Sequence, residues 1–428
     1  MTTDVDGRAP AHDASPGPSD GLLAELEAAY KDIHAHPELS MQERRTAGIA
    51  AAWLRRCGYE VTEGVGGTGV VGLLRNGDGA TVLLRADMDA LPVQESTGLP
   101  YASNASGTDR FGQATAIAHS CGHDMHVAWL MGATRILAEN RDGWHGTAMA
   151  VFQPGEETGQ GARAMVADGI VKRFPKPDVA LGQHLGPFTA GQIGWRTGTM
   201  LSAGDSWEVT LFGRGAHGAM PQKSVDPVVM AASAVMRLQT VVSREVATTD
   251  SAVVTVGTLR AGMNENVIPD RALLRLNVRT FKDQVRTRVL AAIRRILEAE
   301  AAASGAPKPP DYTVLSEYPL TRNDEAATRK VVAALERYFG ADRVHEMIEP
   351  ATTSEDFGLF GAAWNVPAVF WFVGGVDPDK FEAAERAGKL DEIPTNHAPD
   401  FAPVIEPTLR TGIEAMLAAA GAWLRPGR

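Results

Sequence analysis

Apolar and polar positions follow two different rhythms along this chain. Up to about residue 198, apolar runs of strand length alternate with stretches of helical period. Residues 22–35 and 43–57 repeat their apolar side chains every three or four positions, as amphipathic helices do, and Gly58 ends the second. Short apolar runs at 69–74, 81–86, 146–152 and 178–183 predict buried strands. Residues 126–139 predict a helix, and 163–167 lie in another. Strands alternating with helices imply an α/β layer with a mixed, largely parallel sheet. Open sheets of that kind place their sites at strand ends.

Near Thr199 the rhythm changes. Ser206-Trp207-Glu208-Val209-Thr210-Leu211-Phe212 alternates like a half-exposed strand. Asp226-Pro227 opens a helix that runs to about residue 243, with proline near its start. Strands at 252–259 and 271–280, a long amphipathic helix at 284–303 and a strand at 312–315 follow. This β-α-β-β-α-β order is that of a ferredoxin-like α+β sandwich. The first pattern resumes near Asn323. The expectation is a catalytic domain of residues 21–198 and 319–428, interrupted by an inserted lid of residues 199–318. Residues 1–20, rich in Asp, Pro, Ser and Gly and without the apolar core of a signal peptide, read as a disordered extension.

Composition narrows the class. At 428 residues the chain exceeds the size at which single cores stop growing, which favours two domains. A formal net charge of −11 argues against nucleic acid or an anionic membrane as partner. No apolar run is long enough to span a bilayer. Two cysteines, Cys57 and Cys121, make no disulfide framework. A reducing cytoplasm is the expected location, where Cys121 stays available as a thiolate.

The chemistry concentrates in His119-Ser120-Cys121-Gly122-His123-Asp124-Met125-His126. Thiolate and imidazole are preferred ligands of zinc and its first-row neighbours, and Gly122 permits the turn that lets Cys121 and His123 converge. Taken alone, the cluster fits equally a buried cysteine beside polar histidines. A second constellation, Gln153-Pro154-Gly155-Glu156-Glu157, stands at the mouth of a strand. Adjacent carboxylates are costly to bury without cations. They can divide labour, one binding a metal and the other moving a proton, or form a solvated turn. His184 and His397 are isolated histidines, the first at a strand end.

Arg85-Ala86-Asp87-Met88-Asp89-Ala90-Leu91-Pro92, the Cys121–Asp124 box, Gln153–Glu157, Asn266-Val267-Ile268-Pro269-Asp270, Ser354-Glu355-Asp356-Phe357 and the late His397 occur in this order. Together they resemble the M20 metallopeptidases, in the amidohydrolase branch of hippurate hydrolases, N-acyl-amino-acid deacylases and auxin-conjugate hydrolases. The branch follows from Asp87-Met88-Asp89 where the peptidases carry His-x-Asp, and from a cysteine where they use a bridging aspartate. The resemblance implies two divalent ions, with zinc, manganese, cobalt and nickel all compatible. Their ligands would be Cys121, His123, Glu157, His184 and His397, the cysteine sulfur bridging. It implies Glu156 as general base, with Asp89 orienting a ligand.

From the lid, His217 in Gly213-Arg214-Gly215-Ala216-His217-Gly218 would face a tetrahedral oxyanion. In related dimers this histidine reaches the other subunit's site. Asn266 and Arg279 would contact substrate, since a guanidinium suits a carboxylate. Each of the three also has a plain structural reading. Gln222 departs from the branch, where histidine often follows this proline. His126 reads better as a packed, hydrogen-bonded neighbour than as a ligand. The implied reaction is hydrolysis of N-acyl or N-aroyl amino acids, small-molecule substrates, by a homodimer joined through its lids. The competing readings are a dipeptidase or carboxypeptidase with the same metals, and a metal-binding protein without catalysis. Against the last stands Glu156, because pure binding needs no proton shuttle.

Overall fold

The computed structural model describes residues 17–425. The expected N-terminal extension therefore lies, through residue 16, outside the described residues. Its last residue is already ordered, because Asp20 opens the helix Asp20–Ala35 and the Ser19 side chain caps it by accepting from the Leu22 amide.

The larger sheet has eight strands. Their order is Glu60–Val65, Gly69–Asn76, Gly146–Gln153, Thr81–Asp87, Val179–Thr189, Ala368–Val376, Ile193–Trp195 and Val344–Glu346. The third to sixth of these run parallel, and antiparallel pairs flank them. Parallel strands are buried on both faces, and the core divides accordingly. Val82 and Leu84 join Leu26, Trp129, Leu335 and Ile413 beneath one helical layer. Leu83 turns to the other face, with Met149, Met165 and Phe360. One layer is built from Asp20–Ala35, Arg44–Arg56, His123–Glu139, Glu325–Phe339 and Ile405–Leu424. Shorter helices, Gly161–Ala167 and Gly358–Trp364, cover the other face.

Residues Ala203 to Tyr318 form a second, four-stranded antiparallel sheet. Its order is Ala252–Ala261, Arg271–Thr280, Ala203–Phe212, Asp311–Tyr318. Helices Pro227–Thr240 and Asp283–Ala303 pack against it, around a separate core that includes Val209, Leu211, Leu274, Ile293 and Leu297. This is the β-α-β-β-α-β order read from the sequence. The two connections to the larger unit run side by side, Gly198–Leu201 pairing with Thr321–Asn323.

Several expected boundaries move, two of them at Cys121–His123 and at His184. The helix expected from residue 126 begins at His123, with Gly122 before it at φ +89°. A Cβ on Gly122 would come within 2.6 Å of the Leu185 side chain, so both backbone conformation and space call for glycine. The strand expected to end before His184 runs to Thr189. His184 pairs with Phe372 in mid-strand, because Ala368–Val376 continues the parallel ladder past it.

Candidate active site

Ends of the central parallel strands supply most of the polar groups. Thr81–Asp87 delivers Asp87 and, just beyond, Asp89. Gly146–Gln153 leads into a short turn, Glu156–Thr158, entered through Gly155 at φ +56°. Three successive amides of this turn are tied to buried carboxylates. Gly155 N donates to Glu43 Oε1 at 2.7 Å, Glu156 N to Asp89 Oδ1 at 3.1 Å, and Glu157 N to Asp89 Oδ2 at 2.9 Å. The backbone of the Glu156–Glu157 turn is thus fixed by acids.

Both glutamates reach His123. Glu157 Oε1 lies 3.3 Å from His397 Nε2 and 3.8 Å from His123 Nε2, and Glu156 Oε2 lies 4.0 Å from that same His123 nitrogen. Ligand atoms of Cys121, Glu157 and His397 all lie within 4.8 Å of one another, and so do those of His123, Glu156 and Glu157. Cys121 Sγ is 3.5 Å from His184 Nε2. The five sequence-derived ligands therefore converge. Glu156 also faces the carboxylates of Glu355 and Asp356. Asp89 accepts from Ser40 Oγ at 2.6 Å and lies 3.2 Å from His123 Nδ1, behind the ring. His126 donates from Nδ1 to Asp87 at 2.5 Å and accepts the Leu185 amide on Nε2, which leaves it no free ligand atom.

The donor set fits divalent cations. His123 Nε2 and Glu157 Oε1 are buried without a hydrogen-bond partner and face the same space, whereas buried polar atoms are ordinarily satisfied. Burial, together with Glu157 and Glu156, pushes the Cys121 thiol well above its usual value, so a thiolate here calls for positive charge. Burial works against charging His123, yet Asp87, Asp89 and Glu157 outweigh it and hold its pKa at about 10. Burial and the neighbouring His126 keep His184 neutral. Its Nδ1 donates to Leu185 O at 2.8 Å, so Nε2 carries the free lone pair.

Behind Glu156 lies a fully buried arginine. Arg85 contacts Asp87 at 2.7 Å, Glu355 at 2.7 Å and Asp356 at 3.4 Å. One guanidinium does not balance this many acids. Burial, then Glu355, Glu157 and Asp356, raise the proton affinity of Glu156 well above that of an ordinary glutamate.

Cys121, Glu156, Glu157, His184, Glu355 and His397 form the floor of a cavity of about 920 Å³. Phe188, Leu201, Met347 and Phe372 make an apolar wall, and Arg279 and Ser206 reach it from the second sheet. Arg279 donates to Asn277 Oδ1 at 3.1 Å and to Ser354 Oγ, both neutral, and no described carboxylate lies within 4 Å of it. Burial lowers its pKa, the cost of a guanidinium without an anion. Tyr318 also lines the cavity and donates to Glu156 O at 3.0 Å. His217 and Asn266 do not reach it. They sit on an exposed two-stranded turn, Ala216–His217 against Val267–Ile268. Gln222 lies in the exposed turn Pro221–Lys223 nearby.

Residues 83–396 match peptidase family M20/M25/M40. The chain belongs to peptidase family M20. A hippurate hydrolase of Campylobacter jejuni is 36% identical over 341 residues, covering 79% of this chain and 85% of that protein. An N-acetyl-L-cysteine deacetylase of Bacillus subtilis is 36% identical over 361 residues, covering 82% and 81%. A Bacillus subtilis structure described as a dinuclear metal-binding M20 peptidase superposes with a TM-score of 0.70 at 28% identity, covering 94% of this chain and 99% of that one. This M20 chain is a metal-dependent amidohydrolase of the amidohydrolase branch. Among the described residues, no helix is long and apolar enough to cross a membrane.

Some groups that shape the M20 site were not assigned roles from sequence. Glu43 and Ser40 come from a distant helix entry, and nothing local marks them. Tyr318 stands beyond the expected end of its strand. Arg85 and Asp87 were visible in the motif, but their burial was not.

Proposed function

We propose that the protein hydrolyses the amide bond of N-acyl or N-aroyl amino acids, releasing a carboxylic acid and a free amino acid. The observation that carries this is Arg279, a cation without an anionic partner, in the cavity that holds Glu156 and the ligand cluster. It suits the substrate carboxylate. The apolar wall of Phe188, Leu201, Met347 and Phe372 suits the acyl group.

Cys121, His123, Glu157, His184 and His397 would hold two divalent ions of the zinc, manganese, cobalt or nickel class. When bound, such ions polarise a carbonyl oxygen and acidify water. The rest falls to the chain. Glu156 takes a proton from the attacking water, whose oxygen bonds to the acyl carbon. The C–N bond then breaks, and the proton held on Glu156 passes to the leaving nitrogen. The raised proton affinity of Glu156 suits it to take the water proton. Asp89 orients His123.

His217 and Asn266 would act in the site of a second copy, with residues 199–318 as lid and dimer contact. The edge strand Ala252–Ala261 leaves Val253 and Leu259 exposed, and the adjoining helix exposes Val229 and Met236. Such a face supports pairing with another chain. Both cysteines are free thiols, compatible with a reducing cytoplasm.

The test is a hydrolysis screen of N-acetyl, N-benzoyl and indole-acetyl amino acids beside dipeptides, with each metal added back to apoprotein. Turnover of the acyl amino acids is expected. Cleavage of dipeptides alone would assign the protein to the peptidase reading.

A further inference from the structure

We infer that Asn396 is a positioning residue for the metal ligands on either side of it, holding Cys121 and His184 in register with His397. The inference rests on the metal-centre reading above. Asn396 lies on the cavity wall, immediately before His397. Its side-chain Nδ2 donates to Cys121 O at 3.0 Å and to Leu185 O at 3.2 Å, and lies 3.9 Å from Cys121 Sγ. An amide nitrogen has two protons, and both are committed to carbonyls of chain segments that supply ligands.

One anchored carbonyl belongs to a ligand residue and the other to the residue that follows one. Cys121 O is the main chain of the thiol residue itself. Leu185 O also accepts from His184 Nδ1 at 2.8 Å. That bond keeps the proton on Nδ1 and leaves Nε2 bare towards Cys121 Sγ. By fixing Leu185 O, Asn396 fixes the ring orientation of His184. The third segment is its own. His397 N donates to Ser120 O at 2.7 Å, with the histidine at φ +75°. Left-handed backbone is uncommon for a residue with a side chain, and here bonds from both residues to positions 120 and 121 hold it in place. One amide side chain thus joins three segments that are 63 or more residues apart in sequence. The same nitrogen lies 3.9 Å from Cys121 Sγ, so the side chain also sits against the sulfur it helps to place.

The experiment compares wild type, Asn396→Leu and Asn396→Asp. Both variants remove the donors at nearly unchanged size. Apoprotein unfolding temperature, Co(II) affinity against a competing chelator, and the thiolate-to-Co(II) charge-transfer absorption are measured. Both variants are expected to unfold within a few degrees of wild type. Their Co(II) affinity should be about 10- to 100-fold weaker, with a shifted or weakened charge-transfer band. If Asn396→Leu does not fold, Asn396→Asp decides alone. Unchanged affinity and an unchanged band, whatever the unfolding temperature, would reduce Asn396 to a structural role and overturn the inference. A wild type without any thiolate band on Co(II) loading would instead overturn the metal-centre reading, and this inference with it.

Discussion

The floor of the cavity and the turn that carries His217 are built in opposite ways. On the floor, Asp87, Asp89, Glu156 and Glu157 follow the ends of strands buried on both faces, and Cys121 and His123 stand at the start of the long helix His123–Glu139. Asp89 alone ties together Glu156, Glu157, Ser40 and the His123 ring. The His217 turn rests on two residue pairs of a two-stranded ribbon, and the exposed His217 ring accepts from the nearby Ala219 amide. A site held by rigid elements is poised before substrate arrives. An exposed histidine on a short ribbon gains its role only when something docks against it. The floor groups therefore come together within one chain, and a role for the exposed His217 turn is conditional on docking.

Removing the proton acceptor from the floor should produce the largest effect. Glu156→Gln nearly preserves shape and removes proton acceptance. Turnover should fall about 10²–10⁴-fold with KM little changed, as steady-state kinetics on N-benzoyl-glycine would show. A variant with full turnover would make the Glu156–Glu157 pair an ordinary turn.

The conditional half of the comparison is broken or sharpened by His217→Ala. If this histidine donates to the oxyanion, turnover should fall about 10²–10³-fold. Mixing His217→Ala with Glu156→Gln subunits should then restore part of the activity, because one site of a mixed dimer receives both intact groups. No recovery, with subunit exchange demonstrated separately, would confine His217 to its own chain or to no role.

A smaller effect is expected where the two regions touch. Tyr318, at the end of a lid strand, donates to Glu156 O. Tyr318→Phe removes one hydrogen bond, a net loss of about 0.5–1.5 kcal/mol, or about 2- to 10-fold in turnover. Unaltered kinetics would mean that the floor holds Glu156 without help from the lid.

What could be read from sequence follows the same division. The central strands announce themselves as continuous apolar runs because both faces are buried, and Asp87, Asp89, Glu156 and Glu157 stand where two of those runs stop. The lid order was legible because alternation on a one-sided sheet is unambiguous. Glu60–Val65 escaped notice because its pattern is mostly polar and exposed. His184 was expected at a strand end, since nothing local signals that Ala368–Val376 extends the ladder beyond it. Glu43 and Asn396 act through contacts 112 and 275 residues away in sequence, and no periodicity encodes such pairs.

The most direct test of the account is metal content per chain in wild type, Glu157→Gln and Glu156→Gln, measured by elemental analysis after identical purification and metal loading. Both glutamates lie near His123, but Glu157 alone also joins Cys121 and His397, and Glu156 alone also joins Glu355 and Asp356. Wild type and Glu156→Gln should carry the same metal, and Glu157→Gln should carry less. Loss of metal from Glu156→Gln with retention in Glu157→Gln, or full activity in protein that holds no metal, would contradict it.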